Sequence, residues 1–375
     1  MSLQHEQLAV QQGPRSGKTI VVAVHSTALG PAAGGCRLWG YADWRDGLAD
    51  ALRLSEAMTL KCAAAELPLG GGKSVIALEP GEVLLPEQRR DVFLDFGDLV
   101  DSFGGRYKTG EDVGTSADDM WIARERTEHA LCLPPEHGGS GEPSEPTAVG
   151  VFAAIEELNR RLFGTDDLTG RRFTVVGLGQ VGGRLARRLA ARGAVLSVTD
   201  IDAGKQSLAR ELGATWVPLD EAPLLPTDVL VPAALGGLIT SDLTARLDCG
   251  AVVGPANNQL AEPSVADELA ARGIVWAPDF VVNAGGAIHG AFVDIAGNPV
   301  SYGIEQSALI GPRLGRILDS AEASGTTPYV AALAFAQDRI EQARAPVGSG
   351  RAQGCTREPS PVAVPVRVPD RRAPA

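Results

Sequence analysis

Two lysines and an aspartate in the first third of the 375-residue chain are the residue types of an acid–base site. Lys73 follows three glycines and precedes the apolar run SVIAL, so the glycines offer its side chain little cover and the strand behind partly desolvates the amine. Desolvation lowers the pKa of a lysine toward neutrality, as a general base requires. Asp112, beside Glu111 in TGEDVGTSADDM, is a carboxylate able to exchange a proton with a substrate nitrogen.

Lys61 completes this set of candidates. It lies three positions after Met58 and therefore shares its helix face. A cation beside an apolar side chain suits a substrate carboxylate, although each of the three residues also has the ordinary alternative of a solvated surface group. The segment LPLGGGKS is not a phosphate-binding loop, because that motif requires glycine where this chain has Leu67.

A dinucleotide-binding pattern, GLGQVG, stands between a strand and an amphipathic helix. In this motif Gly177 makes the tight turn, Gly179 lets the backbone approach a pyrophosphate, and Gly182 packs the helix on the strand. Asp200 ends the next strand, where a carboxylate accepts ribose hydroxyls and repels the 2′-phosphate of NADP. The alternative is a glycine-rich turn that binds no dinucleotide, but the ordered strand, helix and acid favour NAD. The predicted motif contacts are Gly177, Gly179, Gln180, Val181, Gly182 and Asp200.

The elements that must position these residues follow from periodicity. Helical spacing covers residues 43–65 and 88–103, with a glycine-rich turn and the strand KSVIAL between them. From residue 173 to about 283, the runs FTVVG, VLSVTD, DVLVP, AVVGP and GIVWAP alternate with helical stretches, which predicts a parallel sheet covered by helices. We expect an α/β protein with two domains: a mixed α/β substrate domain and a Rossmann-like, doubly wound NAD domain, with the active site in the cleft.

Composition excludes several classes of partner. A net charge of −12 argues against nucleic acid and anionic membranes. The five cysteines are an odd number without a C-x-x-C pair, so neither a disulfide framework nor a metal site is expected, and the cytoplasm is the predicted location. The Pro- and Arg-rich residues 345–375 are predicted to be a disordered tail.

Eight segments match a known family in order: LGPAAGGCR, MTLKCAAAELPLGGGKSVI, GRYKTGEDVGTSADDM, PTAVGVF, VVGLGQVGG, PAALGG, GPANNQLA and APDFVVNAGGAI. From about residue 28 to 340 the chain resembles the leucine, valine and phenylalanine dehydrogenases, relatives of glutamate dehydrogenase. The resemblance implies a substrate domain at 1–145, an NAD domain at 146–300, a helical return to the first domain at 301–344, and a homo-oligomer.

The resemblance also implies roles. Lys73 would be the catalytic base and Asp112 its proton-transfer partner. The remaining implied contacts are Lys61, Gly34 and Gly35 for the substrate carboxylate, Asn257 between substrate and nicotinamide, and Arg37, Thr147, Ala234 and Asn257 for the cofactor. The implied reaction transfers the Cα hydride of an L-amino acid to NAD, after which water and Lys73 release ammonia and a 2-oxo acid.

Substrate choice depends on the pocket beyond the α-carbon. By position its lining residues are Ala33, Met58, Gly110, Ala287 and Gly290. All but Met58 are small, which is most similar to the phenylalanine dehydrogenases and favours an aromatic side chain over valine or leucine.

We expect His289 to be a partly exposed loop residue, with contact to a polar substrate edge as the alternative. Further alternatives are a valine or leucine dehydrogenase, a 2-hydroxyacid dehydrogenase, which typically uses a histidine base, and a non-catalytic NAD-binding protein.

Overall fold

The computed structural model describes residues 4–345, so all but the first residue of the tail predicted at 345–375 lies outside the described residues. The structure contains two sheets, one in each half of the described chain. Elements around the first sheet are β1 (Gln7–Gln12), β2 (Thr19–Ser26), β3 (Ala32–Gly40), α1 (Trp44–Ala64), β4 (Gly70–Leu78), α2 (Pro86–Asp101), β5 (Tyr107–Glu111) and α3 (Ala117–Arg124).

The first sheet is mixed. Its strand order is β1-β2-β4-β3-β5, with β1 and β4 antiparallel to β2, and β3 parallel to both β4 and β5. The parallel β3, β4 and β5 therefore end at one edge of the sheet. Apolar side chains of α2 and α3 cover one face, and α1 covers the other.

The three glycines before Lys73 belong to strand β4, so the glycine-rich turn predicted there is wrong. Close packing is the physical reason. A Cβ on Gly71 would lie 2.1 Å from the backbone nitrogen of Thr59 in α1, and one on Gly70 would lie 1.9 Å from the carbonyl oxygen of Ser26. The strand passes directly beneath the helix, and only glycine fits there.

The second sheet is parallel throughout, with order β11-β10-β9-β6-β7-β8, as the alternating pattern predicts. Its central strands β6, β7 and β9 carry the buried apolar core. Elements of this region are α4 (Ser144–Phe163), β6 (Arg172–Val176), α5 (Gln180–Ala191), β7 (Val195–Thr199), α6 (Gln206–Glu211), β8 (Thr215–Trp216), β9 (Val229–Pro232), α7 (Ser241–Arg246), β10 (Ala251–Val252), α8 (Val265–Ala271) and β11 (Val275–Trp276).

The C-terminal part of the described chain is helical. Its elements are α9 (Asp279–Val282), α10 (Gly285–His289), a π-helix (Gly290–Ile295), α11 (Val300–Ala308), α12 (Ile310–Ser324) and α13 (Pro328–Arg344). Arg339 of α13 donates to the carbonyl oxygens of Ala63 and Leu67 at the end of α1, at 3.4 and 3.2 Å. The last helix thus returns to the first sheet's layer, while the boundaries at 145, 300 and 344 stay predictions. Within residues 4–345, no helix combines the length and the apolar character that a membrane crossing requires.

Candidate active site

A cavity of about 350 Å³ lies between the two sheets. Its walls come from the first sheet, from α1, from the starts of α4 and α5, and from the segments after β10 and around α10. Both predicted catalytic residues and all nine predicted substrate contacts line it. Those residues are Lys73, Asp112, Ala33, Gly34, Gly35, Met58, Lys61, Gly110, Asn257, Ala287 and Gly290.

Lys73 and Asp112 form an ion pair at the sheet end of the cavity. Lys73 projects from β4 and is 5% exposed, and its Nζ donates to Asp112 Oδ2 at 2.7 Å. Arg37 Nε approaches the same oxygen at 3.3 Å, and its Nη1 bonds Asp50 at 2.6 Å. Burial alone would raise the pKa of Asp112, but Lys73 and Arg37 outweigh it and hold that pKa below the ordinary value. Asp112 is therefore an ionised partner for Lys73 at neutral pH.

Lys61 faces the second domain. Its Nζ donates to Asn257 Oδ1 at 3.0 Å, and Asn283 Nδ2 donates to that same oxygen at 2.9 Å. Burial lowers the pKa of Lys61, and the carboxylate of Asp279 opposes this shift only in part. Sequence reasoning missed Asn283, although it stands inside the matched segment APDFVVNAGGAI. Its Oδ1 is buried and has no partner among the described residues, so an acceptor is left for a ligand.

Gly34 and Gly35 lie on β3, between β4 and β5. A Cβ on Gly34 would stand 1.8 Å from the carbonyl oxygen of Gly72, and one on Gly35 would stand 2.6 Å from that of Glu111. The hydroxyl of buried Tyr107 donates to the Gly34 carbonyl at 2.7 Å. These contacts bring bare backbone to the cavity wall and fix its position.

The side-chain end of the cavity is wide because its wall residues are small. A Cβ on Gly110 would lie 2.9 Å from Cys132 Sγ, so these two positions share one space. Cys132 has a φ of 56°, in the region that favours glycine. Nothing in the sequence pattern predicts its position. Other lining residues that the sequence analysis did not name include Leu69, Leu131, Ala291 and Ile295.

His289 is buried at 3% exposure and belongs to α10, so the expectation of a partly exposed loop histidine is wrong. The reason is close packing, since a Cβ on Gly303 would lie 2.6 Å from His289 Nδ1. Burial lowers the pKa of this imidazole. The side chain does not line the cavity, so the structure gives no contact to a substrate edge.

The glycine motif fits a dinucleotide. Gly177 has a φ of 109° at the turn, and a Cβ on Gly182 would meet the carbonyl oxygen of Gly177 at 2.1 Å. By contrast, nothing lies within 4 Å of a Cβ on Gly179, the residue that caps the N-terminus of α5. The helix start is thus open to an approaching phosphate, where its amides and dipole favour an anion.

The remaining predicted cofactor residues lie either on the cavity wall or on segments that adjoin the glycine loop. Thr147 and Val181 line the cavity itself, and Gln180 begins α5. Asp200 follows β7, and its Oδ2 accepts the Leu178 backbone N–H at 2.6 Å, which ties the end of β7 to the glycine loop.

Ala234 and Arg37, which the resemblance assigned to the cofactor, also lie outside the cavity wall. A Cβ on Gly177 would meet the Ala234 side chain at 2.9 Å, so Ala234 packs beside the glycine loop. Arg37 lies behind Asp112, held by Asp50. The structure therefore brings the predicted residues to one cleft, with Arg37 as a support of Asp112.

Comparison with known proteins agrees with this arrangement. The Glu/Leu/Phe/Val dehydrogenase dimerisation domain matches residues 7–129, and the glutamate/leucine/phenylalanine/valine dehydrogenase domain matches residues 205–303. The leucine dehydrogenase of Bacillus subtilis is 39% identical over 343 residues, covering 91% of this chain and 92% of its own. The phenylalanine dehydrogenase of Lysinibacillus sphaericus is 43% identical over 291 residues, covering 76% and 75%. The crystal structure of L-tryptophan dehydrogenase from Nostoc punctiforme superposes with a TM-score of 0.78 at 34% identity, covering 91% and 97%.

Proposed function

The chain belongs to the Glu/Leu/Phe/Val dehydrogenase family and is an amino-acid dehydrogenase, and from that premise we propose that it deaminates an aromatic L-amino acid, phenylalanine or another, with NAD. The products are the 2-oxo acid, ammonia and NADH, and the reaction is reversible. One observation carries the proposal: Lys73, Asp112 and Lys61 share a cavity whose far end is lined by small residues and whose other wall meets the glycine loop. These side chains and the family match argue against the two alternatives of a 2-hydroxyacid dehydrogenase and a non-catalytic NAD-binding protein.

Lys61 orients the substrate. As a cation at the cavity wall it holds the substrate carboxylate, together with the backbone of Gly34 and Gly35. Asn257 accepts from Lys61 and lies where the two domains meet, a position from which it would contact both a bound substrate and a bound nicotinamide. Closure of the cleft would exclude water until the hydride has left the α-carbon.

Lys73 and Asp112 move the protons. Water attacks the iminium carbon of the substrate, and Lys73, as the general base, takes the proton that this water loses. Asp112, 2.7 Å from Lys73 Nζ, stabilises the resulting ammonium. The proton then returns from Lys73 to the substrate nitrogen. Lys73 next takes the hydroxyl proton of this intermediate as the C–N bond breaks, so that the carbonyl of the 2-oxo acid forms and ammonia leaves.

The residues that would hold NAD are those of the nucleotide loop and the adjoining cavity wall. A bound nicotinamide supplies the acceptor for the hydride. The open space at Gly179 suits the pyrophosphate, and Asp200 after β7 disfavours a 2′-phosphate. The buried Asn283 Oδ1, which has no partner among residues 4–345, suits an amide N–H. We therefore expect NAD to be used in preference to NADP.

Aromatic preference rests on the pocket. Ala33, Gly110, Ala287 and Gly290 leave a void around a small side chain, and each unfilled methylene is worth about 1–3 kcal/mol of discrimination. The alternative is a valine or leucine dehydrogenase with the same mechanism. The family match alone does not separate these substrates, because relatives of similar identity carry different substrate names.

A screen of NAD reduction with the twenty amino acids at alkaline pH tests the proposal. We expect NADH to form fastest with an aromatic substrate, and ammonia to be required in the reverse direction. A higher kcat/KM for valine or leucine would contradict the aromatic preference. Absence of NADH with every amino acid would contradict the function itself.

Assembly and location complete the proposal. The match of residues 7–129 to a dimerisation domain supports a homo-oligomer, which the mass in solution would test. A cytoplasmic location is the sequence prediction that accompanies this function.

A further inference from the structure

The π-helix Gly290–Ile295 places a carboxylate, that of Asp294, beside the side-chain end of the cavity. Asp294 lines an adjoining cavity of about 490 Å³ that shares Leu131 and Cys132 with the substrate cavity. Gly290 lines the cavity, and a Cβ built on it would lie 3.9 Å from Asp294 Oδ2, the nearest atom of the described residues apart from its chain neighbours and its own helix backbone. A substrate ring that filled the space over Gly290 would therefore come close to the Asp294 carboxylate. Single turns of π-helix are rare and occur frequently at functional sites.

The Asp294 carboxylate has spare acceptor capacity. Its Oδ1 accepts the backbone N–H of Ser140 at 3.3 Å, while the one donor to Oδ2 within residues 4–345 is the thiol of Cys132, at 3.9 Å. Burial, and to a lesser extent the charge of Asp294, raises the pKa of Cys132 to about 12, so this group stays a thiol and a weak donor. An ionised carboxylate can accept about four hydrogen bonds, so Oδ2 remains available.

No cation among the described residues neutralises Asp294 through an ion pair. Lys61 and Lys73 serve the other end of the cavity, and Lys108, which also lines it, stays beyond ion-pair distance from Asp294. His289 is the neighbouring titratable base, and burial lowers its pKa, so it is neutral at physiological pH. Glu111, on the cavity wall, adds a further acid rather than a cation.

We propose that Asp294 selects, among aromatic substrates, those whose ring carries a hydrogen-bond donor: the indole N–H of tryptophan or the phenol O–H of tyrosine. This inference rests on the proposed function and names the substrate class within it. A phenylalanine ring in the same space would cover Oδ2 without offering a donor, and a buried charged acceptor left unpaired is penalised. Phenylalanine is thus the poorer substrate.

A lysine side chain is the rival occupant, because its ammonium would also pair with Asp294. The width of the pocket argues against it. Gly110, Ala287 and Gly290 leave room for a ring, whereas a single methylene chain would leave voids on either side. The same experiment separates the two occupants.

The test compares kcat/KM for tryptophan, tyrosine, phenylalanine and lysine in the wild-type enzyme and in Asp294→Leu. Leucine is close to aspartate in size and removes the acceptor. We expect the wild type to favour tryptophan or tyrosine over phenylalanine, and the variant to lower that ratio by about 10- to 100-fold, the range for a hydrogen bond to a charged group. Asp242→Leu, at an exposed position on α7, is the matched control and should leave the ratio unchanged.

Two further variants keep the result decisive if Asp294→Leu folds poorly. Asp294→Asn retains an acceptor oxygen and should lower the ratio less. Gly290→Ala puts a methyl group between ring and carboxylate without a close contact, and should penalise tryptophan more than phenylalanine. A wild type that favours phenylalanine or lysine, or a ratio unmoved by every variant, would overturn this inference and leave the proposed function standing. Failure of all amino acids would instead refute the proposed function.

Discussion

The two ends of the cavity are built differently. At the chemistry end, Lys73 and Lys61 project from a strand and a long helix, and both have side-chain partners, Asp112 and Asn257. At the side-chain end, the wall consists of glycines and alanines, the residue Cys132 in a strained conformation, and a π-helix. Charged and polar side chains define the chemistry end, whereas the absence of large side chains defines the shape of the side-chain end.

This difference separates reaction from selectivity. The paired charged and polar groups at the chemistry end cannot change without losing the chemistry, because removal of one partner leaves the other buried and uncompensated. Space and loop conformation can change with smaller consequences, as expected for an enzyme whose relatives accept different side chains. Substitutions at the chemistry end should therefore lower the rate with every substrate. Substitutions at the side-chain end should alter the ratio of kcat/KM between substrates.

The largest effect is expected for Lys73→Met, which keeps the side-chain length and removes the amine. General acid–base catalysis contributes about 10²- to 10⁴-fold, so kcat should fall by that amount with all amino acids alike. Steady-state NADH formation measures it. A variant that retains wild-type kcat would show that Lys73 is not the base.

Lys61→Met should act mainly on KM. Loss of the cation removes a charge-assisted hydrogen bond worth about 1.5–3 kcal/mol, so KM should rise about 10- to 100-fold while kcat changes less. Arg45→Met, on the exposed start of the same helix, is the control. An unchanged KM would remove Lys61 from the carboxylate site.

Much of the chemistry end was predictable from the sequence because it resides in continuous motifs. Lys73 with its glycines and Asp112 with its neighbours each form a continuous motif of about a dozen residues. The alternating pattern from residue 173 predicts the parallel sheet. Strands β8, β10 and β11 have only two residues each, too short for their bounds to follow from periodicity.

The side-chain end was predictable only in part. Cys132 reaches the pocket because Ala130 pairs with Thr109 through a single bridge, a tertiary contact that leaves no periodicity in the sequence. Asp294 had a usable signal, since it lies four positions after Gly290 and neighbours it on a helix. The π-helical turn that sets its direction has no such signal.

Gly110→Ala, a substitution at the side-chain end, should change the selectivity between substrates. The added methyl would lie 2.9 Å from Cys132 Sγ, so the sulfur must move or the ring space must shrink. We expect the kcat/KM ratio of tryptophan to leucine to fall about 10-fold, within the range for one methylene in a pocket. The double variant Gly110→Ala/Cys132→Ala should restore part of the ratio. If the two substrates decline equally, position 110 does not set selectivity.

The smallest effect concerns the pH dependence of substrate capture. Burial lowers the pKa of Lys61 below the ordinary lysine value of 10.5, and the Asp279 carboxylate is the largest opposing influence. As pH rises through this lowered pKa, the free enzyme loses the cation that holds the substrate carboxylate, so kcat/KM must fall on the alkaline side.

In Asp279→Asn the opposing charge is gone, the pKa of Lys61 falls further, and the alkaline limb should move to lower pH. Because kcat/KM reports the free enzyme, the shift should be smaller in kcat, where bound substrate stabilises the charged lysine. An alkaline limb that keeps its position in the variant would mean that a group other than Lys61 controls it.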